Sequence, residues 1–473
     1  MSWFSIHNHS HVSNFRLRDS VNRPEEIIDE AVKKGLSGIC LTDHETLAGT
    51  LTFWNYWKKN KDKFPKDFTV GIGNEIYLVE KNTLTQVENM EKVRYNHFLM
   101  LAKNQRGYEF LKIASSKAWK NSYYYRGMER VPTYKDELVD MMKDFKGDVI
   151  ASSACVGGEL PQLLLKLNEA TVSNNKKLEK EAREDIHKFL TLMINIFGKD
   201  DFYLELQPSY QEEQLIVNEW MPKIARAYDL KCIVTTDAHY LNKEQSEFHK
   251  QYLQATQGER EVELFYSTTY IFSEEELREY FKDENFLQEM ISNTNEIKNK
   301  LNNIEFKQDT QIPIAHIPKY KMSEDHFKLV DKNKYPHIHE MKNSDREIDK
   351  YYAHLCIEGM IEKNEEFNET NLSRVDLEFG ELLAISYQIN QPMTSYFVLM
   401  REFIDIMWQV SLVGVSRGSA ACYYTNYLLD IVQINPIKYD LPHWRFLTKE
   451  RPELPDELTS LHAEMYVENL VNV

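Results

Sequence analysis

The sequence predicts an α/β domain, either a barrel or a doubly wound sheet, over residues 1 to 240, followed by a mainly helical second part. Three observations carry this reading. Short β-rich runs alternate with amphipathic helical runs as far as "KCIVTTDAHYL". Chelating side chains recur where those β-rich runs end or begin. From Ser273 the text turns helical and charged, opening with "SEEELREYFKDENFLQEMISNTNEIKNKL".

The elements follow in order. "FSIHNH" is the first strand. "NRPEEIIDEAVKKG" is a helix, with Pro24 at its start, Glu25 and Glu26 in the first turn, lysines in the last and Gly35 beyond. Then come strand "SGICLTDH", helix "TFWNYWKKNKDKF", strands "FTVGIGNEIYLV" and "NHFLMLAKN", and helix "RGYEFLKIASSKAWK". After "DVIASSAC" follow two helical stretches, strand "FYLELQ", helix "EQLIVNEWMPKIARAYD" and strand "KCIVTTDAHYL". A Pro- and Lys-rich connector, Ile312 to Pro336, separates this from further helical text, "SDREIDKYYAHLCIEGMIEKNEEF" to "SYFVLMREFIDIMWQ". The organisation expected is residues 1–285 as one domain, 286–345 as helix and linker, 346–456 as a second domain and 457–473 as a divergent tail.

Composition narrows the function classes. The 473 residues carry 74 acidic against 57 basic side chains, a net charge of −17, which disfavours a general DNA-coating role because phosphate contacts need Lys and Arg. A local basic groove remains compatible with that total. The five cysteines (Cys40, Cys155, Cys232, Cys356, Cys422) are scattered and without a CxxC, which predicts a reducing compartment. Cys40 and Cys232 sit in apolar strand text and read as core thiols. The start "MSWFSIHNHS" has no basic segment followed by an apolar one. The most apolar window, "YFVLMREFIDIMWQVSLVGV", holds Arg401, Glu402 and Asp405, so it reads as a buried helix plus strand and not as a membrane span. A cytoplasmic protein is expected.

The chelating residues are the informative feature. His7 and His9 end the first strand on one face, because the strand period is two. Asp43 and His44 end the second, Glu75 lies in the third and His97 opens the fourth. Cys155 closes "DVIASSAC", and Asp237 with His239 closes "CIVTTDAH". A lone His or Asp at a strand end is commonly structural; the ordered set is not so easily dismissed. Barrel enzymes keep their sites at strand ends, and mixed His, carboxylate and thiol ligands suit Zn²⁺, Mn²⁺ or Fe²⁺ better than Ca²⁺ or a single Mg²⁺. So many ligands predict two or three divalent ions, which activate water and neutralise a phosphoryl group.

The set "HNHSHVS", "GICLTDHETLAG", "GNEIYL", "NHFLMLAKNQRGYEFLKIAS", "SSACVGGEL" and "TTDAHYL" resembles the polymerase-and-histidinol-phosphatase (PHP) family, specifically the PHP domain that opens bacterial DNA polymerase III alpha subunits. The resemblance implies a distorted (β/α)7 barrel and metal ligands at His7, His9, Asp19, His44, Glu75, His97, Cys155, Asp237 and His239. Asp19 lies in "NFRLRDS", which departs from the family's usual shorter loop. Asp237 and His44 are the implied catalytic residues of a metal-dependent 3′–5′ exonuclease. DNA, as primer-template or single-stranded 3′ end, is the implied partner, in a bacterial or phage-infected cell, with other replication proteins possible and no membrane.

The resemblance continues through "YFVLMREFIDIMWQVSLVGVSRGSAACYYTNYLLDIVQINPIKYDLPHWRFLTKERPELPD", which looks like the palm entry of C-family replicative polymerases. It implies nucleotide binding by Arg417, Gly418, Ser419 and Arg445, and incoming dNTP as a ligand if another chain completes the palm. Small residues admit backbone amides to phosphate, and an arginine offers it a fork of donors. Asp456 matches the first catalytic aspartate of the family's P-D-x-D-x-D, but Leu458 and Ser460 stand at the next two, and neither holds Mg²⁺ as a carboxylate does. The expectation is an incomplete polymerase site whose Mg²⁺ would need a second chain or a spliced message. A stand-alone phosphatase for small monoesters, or a non-catalytic replication scaffold, are the alternatives. His249, His316, His326 and the "HIHE" of His337 to Glu340 are expected in solvated loops. "NSYYYRG" reads as packing or a structured loop ahead of a stacking platform for single-stranded bases.

Overall fold

The computed structural model describes residues 2–81, 83–88, 93–125, 127–257, 264–302, 304–306 and 311–451. The chain divides into two compact units, Met1–Phe306 and Lys307–Val473. In the first unit the strands are β1 (Phe4–Ser5), β2 (Gly38–Leu41), β3 (Thr69–Val79) and β4 (Asn96–Ala102). Three short strands follow, β5 (Tyr123–Tyr125), β6 (Met128–Arg130) and β7 (Pro132–Tyr134), then β8 (Val149–Ser152), β9 (Phe202–Leu206) and β10 (Lys231–Val234).

The main sheet has the order β1-β2-β3-β4-β8-β9-β10, with β7 added to the far end of β3. All pairs along that path are parallel except those of β4, which runs against both β3 and β8. The sheet curls until its edges meet. A parallel bridge joins Asn8 to Ala238, with the His9 amide donating to the Ala238 carbonyl at 2.8 Å and the Ala238 amide to that of His7 at 3.2 Å. Seven strands therefore enclose a barrel, and the seven β-rich runs of the sequence are those strands.

The two-residue period turns alternate side chains of each strand inward, and these run from a floor to a mouth. Phe4, Cys40, Leu99, Leu101, Ile150, Tyr203 and Ile233 form one buried cluster with Ile297. On the same face of these strands, two to four residues nearer the mouth, stand His44 after Cys40, His97 before Leu99, Glu205 after Tyr203 and Asp237 after Ile233. The reversal of β4 explains why His97 begins its strand while His44 and Asp237 follow the ends of theirs. In β3 the inward positions below Glu75 are Gly71 and Gly73. A Cβ at Gly73 would lie 2.5 Å from both the Met100 carbonyl oxygen and Leu101 Cδ2, and one at Gly71 would run into Cys40 Sγ. Gly73→Ala is expected to cost about 1–3 kcal/mol through overpacking against backbone that cannot move aside, read as a lower denaturant midpoint at unchanged slope.

The first unit does not end at residue 285. The helix Glu284–Lys300 buries Leu287, Met290, Ile291 and Ile297 and packs on β10 and β1, so its apolar stripe is part of the barrel. Residues expected as linker belong to the second unit, where the helices Glu324–Phe327 and Pro336–Lys342 bury Phe327, Ile338 and Met341. That unit is helical, built on Glu347–Glu362, Glu369–Gln388 and Met393–Val410 around Tyr352, Phe379, Phe397, Tyr423 and Tyr424. The strand expected after Val410 is absent. Residues 411–417 are irregular, with Leu412 and Val415 exposed; no strand occurs among the described residues of this unit, so their backbone has no ladder to join. Among the described residues no helix is long and apolar enough to cross a membrane.

Candidate metal centre

The mouth of the barrel gathers side chains separated by up to 232 positions in sequence, from His7 to His239. His7 Nε2 lies 3.2 Å from Asp237 Oδ1 and 3.5 Å from Glu75 Oε1, and His9 Nε2 lies 2.9 Å from Asp237 Oδ1. Glu75 is the hub: its Oε2 is 2.5 Å from His44 Nδ1 and its Oε1 is 2.9 Å from His97 Nδ1. Cys155 Sγ is 3.5 Å from the same His97 nitrogen. Asp19 reaches in from the long loop after β1, its Oδ2 3.5 Å from His44 Nε2 and 3.6 Å from His239 Nε2. All nine ligand positions implied by the resemblance thus come together. Eight of them are buried, and His97, 23 % exposed at its side chain, faces the opening.

Electrostatics bind the cluster tightly. Burial works against the charge of Glu75, but His97 and His44 hold its carboxyl well below the usual range. Burial likewise opposes the charged forms of Asp237 and Asp19, yet His7 and His239 lower the first, and His239 and His44 the second. For His44, burial is outweighed by Glu75 and Asp19, which raise it to about 10. His9 is brought down to about 3 by burial and by the neighbouring His44, whose ring stacks on it at 4.0 Å. Backbone strain collects here too. Glu45, Ala154 and Asp237, beside or within the ligand set, adopt left-handed conformations with φ of 50°, 56° and 48°.

The residues fit divalent ions on two independent grounds. Three triads (His9, His44, His239; His7, His9, Glu75; His44, Glu75, His97) each bring three ligand atoms within 4.8 Å of one another. Moreover, Asp19 Oδ1 is buried with no hydrogen-bond partner, while His7 Nε2, His44 Nε2 and Glu75 Oε2 are buried against other members of the cluster, a costly arrangement for protein atoms alone.

Supporting residues surround the ligands. Glu205, which the sequence reading missed, accepts from His7 Nδ1 at 2.9 Å, from Thr235 at 2.6 Å and from Ser152. This orients the other nitrogen of His7 toward the cluster. The signal was a single carboxylate in the otherwise apolar run "FYLELQ". Asp43 is not a member of the cluster; it accepts from the Ser10 amide at 2.6 Å and from Ser13 at 2.8 Å, pinning the loop that carries Asp19. His11 is exposed, as is His316. His249 is buried and not solvated: its Nε2 donates to the Asp19 carbonyl at 2.6 Å, because the helix Ser246–Gln257 packs beneath that loop. His326 lies on a short helix, half-buried against Phe367. His337 and His339 lie on a helix and not in a loop, bonded to Asp376 at 3.0 Å and to the Val330 carbonyl at 2.9 Å. Cys40 and Cys232 are buried, as are all five thiols.

In the second unit Arg417 and Gly418 are exposed and Ser419 half-buried, at the start of the tight turn Gly418–Cys422. Gly418 has φ 59° there, a conformation that suits glycine. The turn His443–Arg445, with Arg445 exposed, packs against it. Asp456, Leu458 and Ser460 lie outside the described residues.

A closed barrel with a cluster of chelating side chains at its mouth fits the PHP class, and residues 5–209 match the PHP domain. Asp237 and His239 lie beyond that match, in the segment that follows β10 at the closure of the barrel. Residues 350–458 match the bacterial DNA polymerase III alpha NTPase domain, so the chain is a relative of DNA polymerase III alpha subunits, with both domains in that order. It is 40 % identical over 469 residues to the DNA-directed DNA polymerase of Bacillus phage SPbeta, covering 95 % of this chain and 36 % of the relative. It is 31 % identical to the DNA polymerase III subunit alpha of Borreliella burgdorferi (95 % of this chain, 34 % of that one). With the Aquifex aeolicus subunit the identity is 28 % (96 % and 36 %). The chain spans about a third of the length of these relatives.

Proposed function

We propose that the first unit is a metal-dependent phosphodiesterase acting as a 3′–5′ exonuclease on DNA, in the cytoplasm of a bacterial or phage-infected cell. The observation that carries this reading is the convergence of His7, His9, Asp19, His44, Glu75, His97, Cys155, Asp237 and His239, with three triads of ligand atoms within 4.8 Å of one another and Asp19 Oδ1 buried without a partner. Two or three ions of Zn²⁺, Mn²⁺ or Fe²⁺ suit the donor set and would supply an activated water and positive charge for the phosphoryl group. Asp237, anchored between His7 and His9, holds the ligands of the first and last strands in register. His44, fixed at Nδ1 by Glu75 at 2.5 Å and by the Tyr77 hydroxyl at 3.2 Å, turns its Nε2 into the cluster as a ligand that would hold an ion against the phosphoryl group. The surrounding buried residues exclude bulk water.

The second unit, on this reading, contributes part of a nucleotidyl-transfer site, in which Arg417, Gly418, Ser419 and Arg445 take nucleotide phosphate and Asp456 contributes to holding Mg²⁺. Replication proteins are its expected partners.

The test incubates the purified chain with Mn²⁺ or Zn²⁺ and a 3′-labelled single-stranded oligonucleotide, beside p-nitrophenyl phosphate as a small monoester. Release of labelled mononucleotide that EDTA abolishes supports the reading; turnover of the monoester alone, or of neither, overturns it. Glu205→Ala is expected to lower metal affinity roughly 10–100-fold by leaving His7 without its acceptor, measured by titration of the metal-free protein with Mn²⁺ or Zn²⁺.

A further inference from the structure

A pair of arginines stands one aromatic ring away from the metal cluster, and no part of the ligand set uses them. Arg16 lies in the loop after β1, only 6 % exposed, its guanidinium carbon 4.6 Å above the centre of the Tyr77 ring. Tyr77 in turn meets the His97 ring edge-on at 5.0 Å and touches His44. Nη1 of Arg16 contacts Met128 Sδ at 3.9 Å. Met128 opens β6, and Arg130, two residues on, shares its face of that strand.

Arg130 continues the patch. Its guanidinium carbon lies 4.9 Å above the Tyr95 ring, and the Tyr95 and Tyr123 hydroxyls are 2.6 Å apart. Tyr123 is the register partner of Arg130 in the β5–β6 hairpin. The Nε atoms of both arginines are buried without a hydrogen-bond partner. Among the described residues neither arginine makes an ion pair with a carboxylate, although the chain carries 74 of them. Glu45, which senses Arg16 from further off, gives its bonded oxygen to the Tyr77 amide at 3.1 Å and to Thr133 at 3.3 Å. Burial and the charge of Arg16 both depress Arg130, and of the described groups only the tyrosines Tyr95, Tyr123 and Tyr77 work against them. Two unpaired forks of donors on aromatic supports, beside a phosphoryl-cleaving centre, suit an anion with several oxygens.

We propose that Arg16 and Arg130 clamp a backbone phosphate of single-stranded DNA adjoining the phosphodiester that is cut. The clamp rests on the phosphodiesterase reading of the first unit and deepens it: it selects a polynucleotide over a phosphate monoester, because a monoester has no second phosphate to hold. The Tyr95 and Tyr123 rings beside it offer faces on which a base can stack.

The test measures anisotropy of a fluorescent single-stranded oligonucleotide on the full chain in EDTA, where no cleavage occurs, across a range of salt. Arg16→Gln and Arg130→Gln are each expected to weaken binding roughly tenfold and to reduce the log–log salt slope by about 0.7. Metal content and melting temperature stay at their wild-type values, and Arg16→Lys recovers the slope but only part of the affinity, since an ammonium keeps the charge without the fork. Unchanged affinity and slope in folded variants overturn the clamp. If Arg16→Gln fails to fold, the less buried Arg130→Gln decides alone. Wild-type protein that cleaves no phosphodiester, with variants that still bind more weakly, removes the exonuclease reading and keeps the clamp. Cleaving wild-type protein with variants that bind normally does the reverse.

Discussion

Asp237→Asn is expected to abolish phosphodiester cleavage while leaving a folded barrel. Asp237 has φ 48°, a conformation that Asn tolerates nearly as well as Asp, so the substitution removes a charge without adding backbone strain. The lost charge is the one that His7 Nε2 and His9 Nε2 approach at 3.2 Å and 2.9 Å. A neutral amide in its place turns an N–H₂ or a weaker carbonyl toward the cluster, and the carboxylate that both histidines face disappears. Members of a catalytic unit typically account for a factor on the order of 10³–10⁴ or more in turnover. Metal analysis of the purified variant should show at least one equivalent fewer than wild type. Full metal content with full activity would remove Asp237 from the centre.

Glu378→Ala is expected to be the most damaging single change in the second unit. Glu378 is fully buried and accepts four bonds: from Arg374 Nε at 2.6 Å, from the Tyr424 and Thr425 amides at 2.8 Å each, and from the Thr425 hydroxyl at 2.9 Å. Burial pushes its carboxyl up, against the pull of Arg374 and the two amides. Arg374 also donates to the carbonyls of Cys422 and Leu441. One carboxylate therefore ties the helix Glu369–Gln388 to the Gly418–Cys422 turn and to the segment before Arg445. Truncation leaves Arg374 Nε and two amides without an acceptor and a buried guanidinium without its counter-charge, a loss of about 3–5 kcal/mol out of the ~5–15 kcal/mol that holds a typical domain. Chemical denaturation should show that unit unfolding first. Glu378→Gln should fall between, since its NH₂ faces donors where it needs to accept.

The barrel and most of the nine candidate ligands were legible because they stand in or at the ends of apolar runs, where the strand signal and the chelating residue reinforce each other; Asp19, in loop text, was legible only through the family resemblance. What surrounds them was not. Glu205 looks like an ordinary outward polar residue in "FYLELQ" until the sheet closes and turns that face inward. His249 sits in polar helical text, and only the packing of its helix under the Asp19 loop buries it. Arg16 is one charge in "NFRLRDS", and its meaning depends on Tyr77, sixty-one positions later. The helix Glu284–Lys300 was legible as a helix but not as part of the barrel, since amphipathicity reports that a face is buried and not against what. The failure at 411–417 has the opposite cause. Val and Leu favour strands only where a neighbouring strand accepts them.

The bridge between Asn8 and Ala238 makes the first unit a hoop fastened at one seam, with the chain's earliest and latest strands on either side of it. Asp237 and His239 stand on one lip, His7 and His9 on the other. Ions held across the lips would act as a buckle on a loop of about 230 residues, and closing so long a loop is an entropic cost that a cross-link removes from the unfolded chain. Stripping the metal should therefore loosen this seam before any other part of the barrel. The amides of His9 and Ala238 would be the first barrel amides to exchange with solvent, while those inside β3 and β4 stay protected.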